Sequence, residues 1–433
     1  MKKSFNSKFF TGLSGLVIAT TIFAQQPPPE TSKPLNRARI FPSIVSIVPG
    51  GEQQFYIVMA NTRLKEAYNP AQIEWSVNKI FGGNQKVGTI TSTGLYKAPA
   101  GMMGSPEIYV TGRVKVADNP VNTATVLLNG QSPAFKTSFE FGEPVNELKH
   151  FKNPVAIAVE KNGNYIVADG KILRFSPAGK FINSFGEQDG DLLGHLDGLL
   201  NIAVDNTGKI FASDRKIRPP RILAFMPQGK HLYSFGMKGY HPGMSFNTRG
   251  IDFDSKNRMY IGDIDLMRVT VFDNSGKYQF HFGKQGSGTG EFNGYYDLAL
   301  DNNNDVFIAN YFTPCQKFDA AGHYLFSFAT PDPPQGIIYT TDIATDSWGN
   351  VYVVVQGEIK ENGDFELVKD KDGTAVNIIK YNNNGDFISN IQLSDADRKP
   401  VRLAVDLKDR LVVLFKSDKK IGVEVLERVT GLN

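Results

Sequence analysis

The sequence predicts an all-β protein, a six-bladed β-propeller standing behind a small β-sandwich. Three observations carry that reading. Short runs alternating apolar and polar residues fill the chain from about residue 38 onward, with Gly, Pro or Asn between them. From residue 137 a four-strand unit repeats at intervals of 45, 49, 47, 45 and 60 residues, the spacing of propeller blades. Finally, 42 glycines and 31 phenylalanines among 433 residues suit many short strands joined by tight turns. A chain of this length needs more than one core.

The first element is a secretory signal over residues 1–24. Lys2, Lys3 and Lys8 form a basic start, Phe9 to Phe23 is apolar, and Ala24 precedes Gln25. The apolar run is short for a membrane span and no stop-transfer pattern follows, although an uncleaved anchor is the alternative. No cysteine follows it to carry a lipid. Cleavage removes three lysines and no acid, leaving 44 basic and 44 acidic residues. A neutral mature chain gives no electrostatic case for nucleic acid or an anionic membrane. The protein is expected in the periplasm, outside the cell or on its surface, as a monomer with no stable membrane span after cleavage. Residues 25–37, with Pro27-Pro28-Pro29, read as a poorly ordered leader. Cys315 is the single cysteine, so an exported chain makes no internal disulfide and its stability comes from packing.

Residues 38–130 show period-two runs such as Ile73-Glu74-Trp75-Ser76-Val77 and Thr123-Ala124-Thr125-Val126-Leu127-Leu128, the pattern of an antiparallel sandwich. The tryptophan run, Gly88-Thr89-Ile90 and Gly94-Leu95-Tyr96-Lys97-Ala98-Pro99-Ala100 together resemble bacterial Ig-like domains. That resemblance implies a tryptophan-filled core and a spacer or adhesion module. Residues 130–136 read as a linker.

The propeller occupies 137–433. Its first unit reads Pro154-Val155-Ala156-Ile157-Ala158-Val159-Glu160, Tyr165-Ile166-Val167-Ala168-Asp169, Ile172-Leu173-Arg174-Phe175 and Phe185-Gly186, and inner strands centre on Ile157, Ile202, Ile251, Leu298, Ile343 and Leu403. These units resemble the NHL repeat, drifting in the last three. The last unit has no outer strand of its own, and residues 137–142 precede any inner strand, so they are expected to close the ring. The alternative is a seventh, degenerate blade in residues 356–376.

In such a ring, loops from every blade converge on an axial mouth. Asn201, Arg249, Tyr296, Asp297, Asp342 and Arg402 lie where the inner strands begin, and they form the candidate site for a polar ligand. The opposing reading is that they satisfy one another. Aspartates 205, 254, 301, 346 and 406 sit at hairpin turns and read as structural. Two enzyme groups share the architecture. The sequence resembles the peptide-amidating lyases at Phe175-Ser176-Pro177-Ala178-Gly179-Lys180-Phe181, but none of their zinc-binding histidine positions holds histidine, and His195 and His241 lie in connecting loops. Gluconolactonase-like propellers place a metal on a carboxylate where this chain has Ala156, with Asn201 and Asp297 available to imitate the rest. No catalytic residue, metal ligand or cofactor is assigned. The expected function is non-catalytic recognition of a protein, peptide or glycan on the top face. The alternative is a lyase or lactonase with a metal at the mouth.

Overall fold

The computed structural model describes residues 38–59, 67–101, 107–115, 121–129, 134–142, 151–186, 196, 198–215, 221–236, 247–311, 314–328, 337–359, 365–366 and 377–429. The signal and leader expected over 1–37 lie outside them, as do His195 and His241. Six propeller sheets succeed one another, each built on four antiparallel strands. Their innermost strands are Ala156–Val159, Leu199–Val204, Thr248–Phe253, Tyr295–Leu300, Ile337–Thr345 and Lys399–Val405 in blades 1 to 6. In 356–376 the described residues add only Phe365–Glu366, a two-residue strand paired to the second strand of blade 5, and no seventh blade.

Blade 6 takes its outer strand from the start of the propeller. Phe135–Phe141 pairs antiparallel with Ile421–Arg428, from Phe135 opposite Arg428 to Phe141 opposite Val423. The pairing covers a sheet edge that would otherwise be exposed. Phe141 then reaches the next blade, with ring centroids 5.1 Å from Tyr165 and 5.0 Å from Phe175.

The repeat residues have distinct jobs. Inner-strand alternation places Ile157 against Val412, Leu414 and Val423 of blade 6, while Ala156 faces Ile202 and Ile210 of blade 2. Each blade therefore presents a large residue to one neighbour and a small one to the other. The aspartate ending the second strand ties down the segment leading into the inner strand. Asp169 accepts from Lys152 and Asn153 N–H at 2.7 Å, and Asp214 from Gly198 N–H at 2.9 Å. The turn aspartates accept from the N–H groups two and four residues on, as Asp301 does from Asn303 (2.8 Å) and Asp305 (2.9 Å). In the Phe-Gly signature the glycine has a positive φ, 97° at Gly142 and 82° at Gly283. A Cβ there would strike Phe151 or Phe292 at 2.2 Å, so glycine both turns the chain and admits the ring that follows.

The N-terminal sandwich has a five-stranded sheet, in which Ile44–Ile47 runs parallel to Asn122–Leu128, and a four-stranded sheet led by Glu52–Gln54. A further pair, Ala38–Phe41 with Tyr56–Met59, completes it. Trp75 is buried between them with Phe55, Ile57 and Tyr96.

This sandwich sits on the face of the propeller that carries the first and third hairpin turns, here called the turn face. Val121 and Asn303 exchange two hydrogen bonds of 3.0 Å at blade 4. At blade 5, Ser43 donates to Asp386 at 2.5 Å and Lys79 to Ser347 at 2.8 Å. Tyr109 stacks on Trp348 with centroids 4.5 Å apart. Beneath it lies a buried ionic joint. Glu107 Oε2 accepts from the Tyr109 hydroxyl at 2.5 Å, from the Lys380 ammonium, and from Arg428 at 3.3 Å. Arg428 and Asn350 donate to the same hydroxyl. Burial opposes ionisation of Glu107, but Lys380, Tyr109 and Arg428 outweigh it and hold the carboxyl below its ordinary range.

Candidate functional site at the axial mouth

The inner strands begin on the opposite, top face, and the candidate residues sit there on different blades. Asp297 and Asp342, on blades 4 and 5, bring their carboxyl groups close enough that each influences the other's ionisation. Asp342 is only 1% exposed, and its Oδ2 accepts the Leu403 N–H of blade 6. Arg402 follows on blade 6, its Nε 3.7 Å from Asp342 Oδ1 and its Nη1 donating to the Val401 carbonyl at 2.9 Å. Burial pushes both carboxyls upward, Asp297 further because Asp342 is beside it, while Arg402 pulls the other way. The pair therefore favours holding one proton in common.

Asn201 belongs to a separate strut. Its amide donates to the Arg249 carbonyl, its N–H reaches Ser213 Oγ at 3.1 Å, and Ser213 donates to the Thr248 carbonyl at 3.3 Å. Blades 2 and 3 are joined there as blades 4, 5 and 6 are joined by the aspartates. The Arg249 side chain is half-buried. Tyr296 lies on the inner strand of blade 4, and its side chain is outside the described residues. The mouth is thus two groups: Asp297, Asp342 and Arg402 in one, Asn201 with the Arg249 backbone in the other. Both wedge between blades.

One ionisable residue of the inner strands was missed, toward their turn-face ends rather than at the mouth. Asp252 on blade 3 accepts the Leu300 N–H of blade 4 and its neighbour Phe253 N–H, both at 2.7 Å. It keeps some open surface yet lies deep among protein atoms, and burial pushes its carboxyl up to about 6. The signal was in the repeat: the equivalent residue on the other five inner strands is Ala158, Ala203, Ala299, Ala344 or Ala404. An acid in an alanine slot marks a blade doing something different.

Among the described residues the mouth offers no metal site: Ala156 offers no ligand, Asp297 and Asp342 lie beside each other, and the Asn201 amide donates to the Arg249 carbonyl. Among the described residues no group of three or more His, Cys, Asp or Glu converges as a metal site would require. Cys315 is buried, and burial pushes its thiol up to about 11, so it stays protonated at neutral pH.

A family model described as a 6-bladed β-propeller matches residues 247–332. Protein brain tumor of Drosophila melanogaster is 30% identical over 153 residues, which is 33% of this chain and 14% of that protein. The chain carries an NHL-like six-bladed β-propeller. Among solved structures, a Bacteroides thetaiotaomicron protein of unknown function is 10% identical, with TM-score 0.46 over 91% of this chain and 99% of its own. Virginiamycin B lyase from Staphylococcus aureus is 11% identical, with TM-score 0.43 over 67% of this chain and 99% of its own. This NHL-like propeller thus matches its curated relative over a small part of that relative's length. Among the described residues, no helix is long and apolar enough to cross a membrane.

Proposed function

We propose that this is an exported, non-catalytic recognition protein that binds a protein, peptide or glycan on the top face of its propeller. The observation that carries this reading is the seat of the sandwich. It is fixed to the turn face by the Glu107–Lys380 joint and the Tyr109–Trp348 stack, so the mouth faces away from it. A module held by its back presents its front, and a rigid ring of struts suits a preformed binding surface. Arg249 and Arg402 are the anchors this reading favours, because a guanidinium presents fixed donors to carboxylate or sugar oxygens.

A glycan and peptide array probed with residues 25–433 tests it. Binding should appear and should fall when Arg249→Glu reverses the charge at the mouth. Array binding that survives this change, and survives loss of the top-face loops, would move recognition off the propeller's top. Catalytic turnover of a bound ligand would replace the non-catalytic reading.

A further inference from the structure

A second cavity lies on the other side of the molecule, in the cleft where the sandwich meets blades 5 and 6. It encloses about 380 Å³, at the small end of ligand sites, so it suits a molecule of monosaccharide size. Its wall comes from both domains, with Asn78, Glu107 and Tyr109 on one side and Trp348, Lys408 and Arg428 among those on the other.

The polar groups of this wall are unequally matched. Two of its three acids are already answered: Asp409 accepts from Ser347 N–H at 2.8 Å and from its hydroxyl at 2.7 Å, and Glu427 pairs with Lys136 at 3.2 Å. Arg410 is held by Asp406 at 2.7 Å and by the Tyr165 hydroxyl at 2.8 Å, and the other two cations are answered less fully. Arg428 uses Nη1 on Tyr109 and Glu107, and its Nη2 lies 4.0 Å from Asp409. Lys408 lines the same cleft on an exposed turn, and its ammonium meets no carboxylate among the described residues. The Asn78 carbonyl accepts the Tyr109 N–H at 2.8 Å, which turns its amide donors elsewhere. One acceptor is stranded: Glu107 Oε1 is buried and receives no hydrogen bond from the described residues. A buried carboxylate oxygen without a donor is uncommon and points to a missing partner.

Donors for an anion beside an acceptor awaiting a hydroxyl define one chemistry. We infer that the interdomain cleft binds a small polyhydroxy carboxylate, a sugar acid. Its carboxylate lies toward Lys408 and Arg428, and a hydroxyl is directed at Glu107. Ligand and joint share Glu107 and Arg428, so occupancy stiffens the contact between the domains.

Calorimetric titration of the purified full chain with glucuronate, galacturonate and gluconate tests this, with glucose and inorganic sulfate as controls. At least one sugar acid should bind, at least tenfold more tightly than either control, and should raise the unfolding temperature. Lys408→Glu, on an exposed turn that the fold does not need, should weaken that binding at least tenfold while leaving the ligand-free unfolding temperature unchanged. Failure of all three acids overturns the inference, as does equal binding of glucose. Sulfate binding as well as the acids would mean an adventitious ion only. Binding unaffected by Lys408→Glu would place the ligand elsewhere and overturn it too. The mouth enters none of these readouts, so they stand apart from the proposed top-face function.

Discussion

The mouth and the interdomain joint both bury ionisable side chains between packed sheets, and they resolve the cost in opposite ways. At the mouth two carboxyls, Asp297 and Asp342, face each other with Arg402 near one of them. At the joint one carboxyl, Glu107, meets Lys380, Arg428 and a tyrosine hydroxyl. Desolvation is heavy in both places. The ratio of acids to cations decides the sign: the mouth carboxyls are pushed above their ordinary range, and the joint carboxyl is held below it.

The two regions should therefore answer pH differently. Glu107 is lowered from 4.5, so its contribution is present above about that pH and lost as pH falls through the lowered value. Asp297 and Asp342 are raised from 3.8, so theirs is present in acid and lost as pH rises through the raised values. Acid loosens the joint, and alkali loosens the mouth.

The largest effect should come from breaking the joint. Glu107→Gln leaves Lys380 buried without its counter-ion, at a cost of about 3–5 kcal/mol. Denaturant unfolding should show the sandwich parting from the propeller early, with new protease cuts near the contact. Replacing both, Glu107→Gln with Lys380→Met, should cost less than the sum of the single changes. A single-variant loss under about 1 kcal/mol would mean that the stack and turn contacts hold the domains without the ion pair.

Arg402→Ala comes next, at about 1–3 kcal/mol, because it removes a cation beside buried carboxyls. The loss should grow as pH rises through the raised values of the mouth carboxyls, which are forced to ionise without it. Thermal scans across that range check this. A loss that does not change with pH would separate Arg402 from the aspartate pair and leave it available to a ligand.

Asp252→Asn should have the smallest effect and the opposite sign. With its carboxyl pushed up to about 6, the wild-type group favours the fold while protonated, and that advantage goes as pH rises from about 4 through 6. The amide keeps one acceptor for the inter-blade bond. The variant should match wild type at pH 4 and exceed it by about 1 kcal/mol at pH 8. Destabilisation at both pH values would show that both oxygens are needed for Leu300 and Phe253.

The repeat made most of the propeller legible, because a blade is local. Its strands are joined by short turns, so the Phe-Gly signal, the turn aspartates and the inner-strand alternation each act within a few residues. Even Asp252 could have been found that way, as the acid in a column of alanines. The six mouth positions could be named from their place in the repeat, but whether they open on solvent or wedge between blades could not. That depends on where the neighbouring blade's backbone lies, as with the Leu403 N–H that engages Asp342 from 61 residues away.

What the sequence determined by itself was the period, and with it the strand class, the blade spacing and the residues that alternate inward. What only the tertiary structure decided was which inward residues meet. Lys380 and Glu107 are 273 positions apart, and Arg428 and Tyr109 are 319 apart. Period-two alternation marks each as buried or exposed but carries no information about its partner. A buried charge is tolerable only against a specific counter-charge, so the joint, and the cleft beside it, came into being when the sandwich settled on the turn face.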